Sequence, residues 1–475
     1  MEFIHDGFLL HSKMAQRLYH EYAESEPILD YHSHLPAQDI ASDRHFGNLF
    51  EIWLEGDHYK WRAMRANGIA ERYCAGDAPP HEKYLAWAGT VPFTLRNPLY
   101  HWVHLELKRY FGIEELLDER SAKSVWDCAD KLLQTPELSA RGIARKFRVR
   151  VACTSDDPCD DLAHHRALAA SESEFRVYPT FRPDAALAID PSERFGEWLR
   201  RLEQASNTDI RSLQAFLDAL KSRHDYFHAQ GARLSDHGLT RCHATPCAES
   251  EAAGIFDKLR SGSSVSDTDQ EKFRSFLMLY FGHLDAEKGW TKQLHVGALR
   301  DVNSRRYHEL GPNAGFDTIG DDGQVRALCA YLDLLDRENA LPKVIVYNSN
   351  PAENYAFAAA VGSFQDGAIA GKMQYGSAWW FMDQKEGIEW QLNALSNTGL
   401  LARFIGMTTD SRSFMSFPRH EYFRRVLCNI IGGEMERGEL PNDEKLLGEM
   451  IRNICFENAR RFLGLALPDG CAGNP

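Results

Sequence analysis

The chain has 475 residues, 44% of them hydrophobic and 26% charged, and a formal net charge of −14. This is an ordinary soluble balance with enough length for a large core, and so acidic a chain lacks the basic surface that nucleic acid requires. An anionic ligand would have to be held by a few placed arginines, not by the field of the whole molecule.

In chain order, Met1 to Leu10 shows no basic and apolar signal pattern, and no apolar run nears the roughly 20 residues of a membrane helix. A soluble, cytoplasmic protein with no membrane partner is expected. The first β-like run, Ile28 to Leu35, contains Asp30-Tyr31-His32-Ser33-His34. Strand alternation puts Asp30, His32 and His34 on one face, and two imidazoles so placed can bind one divalent metal. Taken alone, a His-x-His also fits two hydrogen-bonded core or surface histidines. The stretch Ile52 to Arg62 follows, with His58 and Tyr59 as candidate proton carriers or donors to a substrate oxygen; it also reads as the start of a half-buried amphipathic helix. The long segment before the second run is helical in pattern, with Leu99, Trp102, Val103, Leu107, Tyr110 and Phe111 on one face.

The second run is Val149 to Ser155. The third, Arg176 to Phe181, leads into Arg182, whose guanidinium suits a carboxylate. A weaker fourth spans Ala232 to Gly238. The fifth, Gln293 to Ala298, carries His295, which either borders the site or is a core histidine, and Arg300 follows it. The sixth is Val344 to Asn348. The seventh, Lys372 to Trp379, ends at Trp379-Trp380, a pocket wall or simply core. The eighth, Arg403 to Thr408, leads to Asp410 and Arg412. In a closed barrel the last strand lies beside the first, so Asp410 could reach the same metal or act as a base. Each arginine alone is readily a solvated charge, but three at strand tips of an acidic protein point to a small anionic ligand.

Eight β runs alternating with helices indicate a closed parallel barrel. We expect one unit over 1–475, with helical insertions at about 60–145, 191–228 and 249–284 and a helical tail over 418–465. No linker composition divides it. The ten cysteines include loose pairs at Cys153/Cys159 and Cys242/Cys247 but no C-x-x-C, so free thiols are expected. A P-loop, a G-x-G-x-x-G after a strand and a G-x-S-x-G elbow are absent, against nucleotide chemistry and a serine hydrolase.

The stretch Ile28 to Arg65 resembles the glucuronate (uronate) isomerase family of the amidohydrolase superfamily. The likeness continues in Cys153 to Pro158, Pro179 to Asp184, Ser235 to Gly238, Gln293 to Arg300 and Thr409 to Arg412. It implies an α/β fold, a distorted (β/α)8 TIM barrel of amidohydrolase type with helical insertions, acting on glucuronate to give fructuronate and on galacturonate to give tagaturonate. It maps the metal-facing histidines onto His32 and His34, the last-strand acid and arginine onto Asp410 and Arg412, the His–Tyr pair onto His58 and Tyr59, and the strand-three arginine onto Arg182. Hydrolytic relatives often carry a bridging Lys or Glu on strand four and a His on strand six. Here those strands offer Ser235-Asp236-His237 and Tyr347-Asn348, so at most one divalent metal, Zn or Mn, is expected.

Aldose–ketose exchange needs a base at carbon 2 and a partner for the developing oxyanion. On this reading Asp410 is the base, beside a metal on His32 and His34. Tyr59 and His58 move protons or donate to the sugar oxygens. Arg412 orients Asp410 or neutralises the enediolate, and Arg182 holds the substrate carboxylate. His295, Arg300 and Trp380 line the substrate site. One base serving both carbons implies some direct hydrogen transfer. The partner is a small anionic sugar, and a homo-oligomer is expected. The alternatives are a single-metal hydrolase, in which Asp410 activates a metal-bound water, and a non-catalytic uronate-binding protein.

Overall fold

Strands covered by helices on both faces must be buried on both, and the longest strands here are. In the computed structural model, which describes residues 3–171, 174–190 and 192–468, β1 (Ile28–Asp30), β2 (Val149–Cys153) and β3 (Arg176–Tyr178) pair in parallel. β4 (Leu234–Leu239) and β5 (Thr291–Val296) form a second parallel sheet with β8 (Lys343–Asn348) and β9 (Met373–Tyr375). Every residue of β5 is buried. Single parallel bridges from Phe181 to Asp156 and to Ser235 join the two sheets.

Seven of the eight expected β runs contain a strand, mostly shorter than the run. The eighth does not. Leu401–Arg403 is a 3-10 turn, and the chain continues over 404–410 without a ladder. Gly406 is the reason. Its φ is +80°, and a Cβ there would lie 2.3 Å from the Ile454 carbonyl oxygen of the C-terminal helices, so this stave bends to admit them.

The segment still closes the barrel. Tyr31 Oη donates to the Gly406 carbonyl (2.9 Å), the Asp410 amide to the His32 carbonyl (3.0 Å) and the His34 amide to the Ser411 carbonyl (2.9 Å). Asp30 accepts from Thr408 Oγ1 and the Thr409 amide, each at 2.8 Å, and so serves this seam and not the cavity. The result is a distorted (β/α)8 barrel.

Helices Ser192–Ser206 and Leu213–Ala229 lie between β3 and β4, and Glu249–Arg260 and Asp267–Lys288 between β4 and β5. Ahead of β2, Pro98–Phe111 starts on an Asn97 cap with Pro98 in the first turn and stops at Gly112 in the left-handed region; Leu99, Trp102, Val103, Leu107, Tyr110 and Phe111 are all buried. The tail contains helices Pro418–Glu436, Glu444–Arg452 and Asn458–Leu463.

One element escaped the sequence reading. β6 (Ala298–Leu299) pairs antiparallel with β7 (Thr318–Ile319), and the loop 300–317 between them carries the short helix Ser304–Leu310. Two residues per strand are too few to leave a period. Arg62 and Arg65 tie the loop down by donating to the Asp317 and Ala314 carbonyls. Among the described residues no helix is long and apolar enough to cross a membrane, and nine cysteines are free thiols; Cys471 lies outside them.

Candidate active site

His32 and His34 follow just past the end of β1, while Asp30, expected on the same face, turns to the seam; both histidines meet the acid of the closing segment. Their Nε2 atoms stand 3.0 and 3.1 Å from Asp410 Oδ1. The other carboxylate oxygen accepts from the Trp379 indole at 2.7 Å. Burial alone would raise the Asp410 carboxyl, but the two imidazoles outweigh it and hold the group well below the usual carboxylate range. Asp410 and Trp380 both take positive φ, 44° and 56°, a costly conformation for side chains and one that clusters at functional sites.

His295, on β5, stacks on Tyr347 with ring centroids 4.2 Å apart and donates Nδ1–H to Asp236 Oδ1 at 2.8 Å. That bond fixes the tautomer and leaves Nε2 a lone pair. His295 Nε2 and His32 Nδ1 are buried with no hydrogen-bond partner, as ligand atoms would be. Ligand atoms of His32, His295 and Asp410 lie within 4.8 Å of one another, so two imidazoles and a carboxylate can converge on one metal ion, with His34 beside them.

His58 and Tyr59 open the helix His58–Ala66, whose N-cap Asp57 accepts from the Tyr59 and Lys60 amides. Their rings stack at 4.5 Å. Burial, reinforced by Arg412, pushes the His58 imidazole down, so it is neutral near pH 7. Burial together with the Asp410 charge pushes the Tyr59 phenol well up, so it keeps its proton.

Arg182 is committed on two sides, donating Nε–H to Asp184 Oδ2 (2.9 Å) and Nη1–H to Asp236 Oδ2 (2.8 Å). Arg300 and Arg412 are exposed, and the Arg300 guanidinium lies 5.0 Å from the Trp380 ring. One open cavity brings together ten residues singled out in the sequence: His32, His34, His58, Tyr59, Arg182, His295, Arg300, Trp380, Asp410 and Arg412.

Four further residues matter. Asp236 is fully buried, orients His295 and Arg182, and lies 4.0 Å from His32 Nδ1; its place on β4, within the Ser235 to Gly238 stretch of the family likeness, was its only sequence signal. Trp379, read from the sequence as pocket wall or simply core, grips Asp410. Arg419 enters the cavity from the first turn of helix Pro418–Glu436, donating to Asp383 Oδ2 (3.2 Å) with its buried Nε unpartnered. Burial pushes that Asp383 carboxyl up to about 6. Asn313 reaches the cavity from the 300–317 loop. Nothing in the sequence separates Arg419 or Asn313 from surface residues.

The profile of a family described as "Glucuronate isomerase" matches residues 1–463. A uronate isomerase of Solibacter usitatus is 60% identical over 465 residues, 98% of this chain and all of its own. One from Opitutus terrae is 57% identical, covering 99% of each chain. The crystal structure of a uronate isomerase from Thermotoga maritima superposes with a TM-score of 0.91 at 31% identity, over 98% of this chain and 100% of that one. With a family profile spanning nearly its whole length and relatives this similar end to end, the chain belongs to the glucuronate (uronate) isomerase family.

Proposed function

We propose that the protein interconverts aldose and ketose hexuronates, D-glucuronate with D-fructuronate and D-galacturonate with D-tagaturonate, through an enediol. One observation carries this reading: an ionised carboxylate, Asp410, shares a cavity with a neutral imidazole and a protonated phenol, the set that a 1,2-proton transfer needs.

Asp410 takes the proton from carbon 2 and returns it to carbon 1, so part of the hydrogen is transferred directly. Tyr59 keeps its proton through burial and donates a hydrogen bond to the oxygen on which charge develops. His58, neutral, accepts the proton of one sugar hydroxyl and delivers it to the other oxygen. Arg412 stands beside them as fixed positive charge. Arg182 takes the distant carboxylate and sets the register of the sugar, with Arg300 and Trp380 flanking the entrance. A divalent ion such as Zn or Mn, held by His32, His295 and Asp410 with His34 adjoining, would polarise a sugar oxygen.

The test is incubation of D-glucuronate with purified protein in deuterated water. Ketose should form, with partial deuterium at the migrating position. Cleavage of an amide or lactone in place of isomerisation would indicate a hydrolase, and unchanged sugar would indicate a binding protein; either defeats the proposal.

A further inference from the structure

β4 alternates. Asp236 points into the barrel, while Ser235 and His237 face the helix Asp267–Lys288, where a buried polar cluster lies. Lys292, wholly inaccessible to solvent, has Nζ 2.7 Å from Asp285 Oδ2, 2.8 Å from His237 Nε2 and 3.4 Å from Ser235 Oγ. Paired with Asp285, the amine is an ammonium and has no lone pair, so it can only donate. His237 Nε2 therefore accepts, and the ring carries its proton on Nδ1.

That proton points at the active site's supports. His237 Nδ1 lies 3.6 Å from Asp184 Oδ1, just beyond hydrogen-bond length, and both atoms are buried with no hydrogen-bond partner, so each is the nearest group the other has to answer. The other oxygen of Asp184 accepts from Arg182 Nε and from the Gly238 amide (3.0 Å). Gly238 adds an independent sign that this strand end is shaped around the arginine, because a Cβ there would come within 2.4 Å of Arg182 Nη2.

We propose that His237 is a positioning residue of the substrate site: with its tautomer set by Lys292, it anchors Asp184 and through Asp184 aims Arg182 into the cavity. The inference rests on the reading that Arg182 takes the substrate carboxylate. Asp184 then works as a clamp jaw opposite Asp236. Its grip depends on a donor behind it, because an unanchored carboxylate could swing with the guanidinium instead of directing it.

Two replacements of His237 separate this role from space-filling. In His237→Gln the amide reaches Lys292 as Nε2 does but withdraws the donor from Asp184. In His237→Asn the amide takes the place of Nδ1, keeps the donor toward Asp184 and gives up Lys292. If His237 only fills space and satisfies Lys292, glutamine is the milder change.

The proposal requires the opposite order. His237→Gln should raise KM for D-glucuronate about tenfold, the loss expected for one hydrogen bond to a charged group, with kcat changing far less. His237→Asn should recover most of that loss. Added to Arg182→Met, the glutamine change should raise KM no further. Should His237→Gln fail to fold, Asp184→Asn, at a partly exposed side chain, should raise KM in the same way.

If Arg182→Met raises KM but His237→Gln and Asp184→Asn do not, or if asparagine proves the worse replacement, this inference fails and the carboxylate reading stands. If Arg182→Met leaves KM unchanged, both fall.

Discussion

Trp379 and Asp410 are joined by a 2.7 Å hydrogen bond from the indole to Oδ2, on the side of the carboxylate away from the two imidazoles. The carboxylate is thereby held from both ends, and its orientation does not rest on histidine alone. Trp379→Phe keeps an aromatic ring, smaller than the indole, and deletes the donor. Because a hydrogen bond to a charged group is worth about 1.5–3 kcal/mol, kcat should fall at least about tenfold with KM little changed. An unaltered kcat would show that the indole only packs.

Asp410→Asn should lower kcat by roughly 10²–10⁴-fold, the usual contribution of a general base, with the fold intact by circular dichroism. The residue ends a barrel stave and is not a core contact, so little packing is lost. Near-normal turnover would take Asp410 out of the chemistry.

Arg182→Met should weaken binding of D-glucuronate far more than that of the uncharged aldose. The expected difference is about 2–5 kcal/mol, the loss typical when a buried arginine–carboxylate pair is broken. The same change leaves Asp184 and Asp236 facing each other without their cation, so a lower melting temperature should accompany it. Equal losses for glucuronate and glucose in binding assays would mean that Arg182 does not read the carboxylate.

Elemental analysis of the purified protein should give about one divalent ion per chain or less, since no bridging ligand is available to hold two. Occupancy should disappear in the His32→Ala/His34→Ala double variant and in His295→Ala. Stoichiometric metal retained in both would move the site elsewhere.

Burial pushes the Asp156 carboxyl up to about 7, despite hydrogen bonds from Thr154 Oγ1 and the Thr180 amide. Its ordinary value is 3.8, so between the two pH values the folded chain holds a proton that the unfolded chain releases. This contribution to stability is greatest below the unfolded value and is lost as pH rises toward 7. Asp156→Asn abolishes the titration. Its melting temperature should therefore climb relative to the parent chain between about pH 4 and pH 7, which calorimetry at the two ends can check. A constant gap would contradict the shift.

The parts of the site that the sequence disclosed are those with a local rule behind them. His32 and His34 are found by strand alternation, and Asp410 by the adjacency of first and last staves in a closed barrel. Asp236 lies on β4 within the Ser235 to Gly238 stretch that carried the family likeness, but nothing there set it apart from Ser235 and His237, because its importance lies in what it orients. Arg419 begins a helix and reaches the cavity only through tertiary packing. The 404–410 stave looked like a strand because its residues are apolar and β-prone; the ladder is lost to one backbone angle at Gly406, which composition does not report. The β6–β7 hairpin is held by too few residues to leave a pattern.

The seam between β1 and 404–410 has a consequence for how the enzyme comes into being. Asp30 and Thr409 are separated by 379 positions, and the bonds between them are among the longest-range contacts in the chain. Contacts of such high order form late, because nearly the whole polypeptide must be ordered before its ends can meet. The same closure brings His32 and Asp410 together. On a ribosome, a nascent chain that already has most of its staves still lacks Asp410, one of the three groups that converge with His32 and His295. Activity should therefore appear in one step at the end of folding, with no partly active intermediate before it.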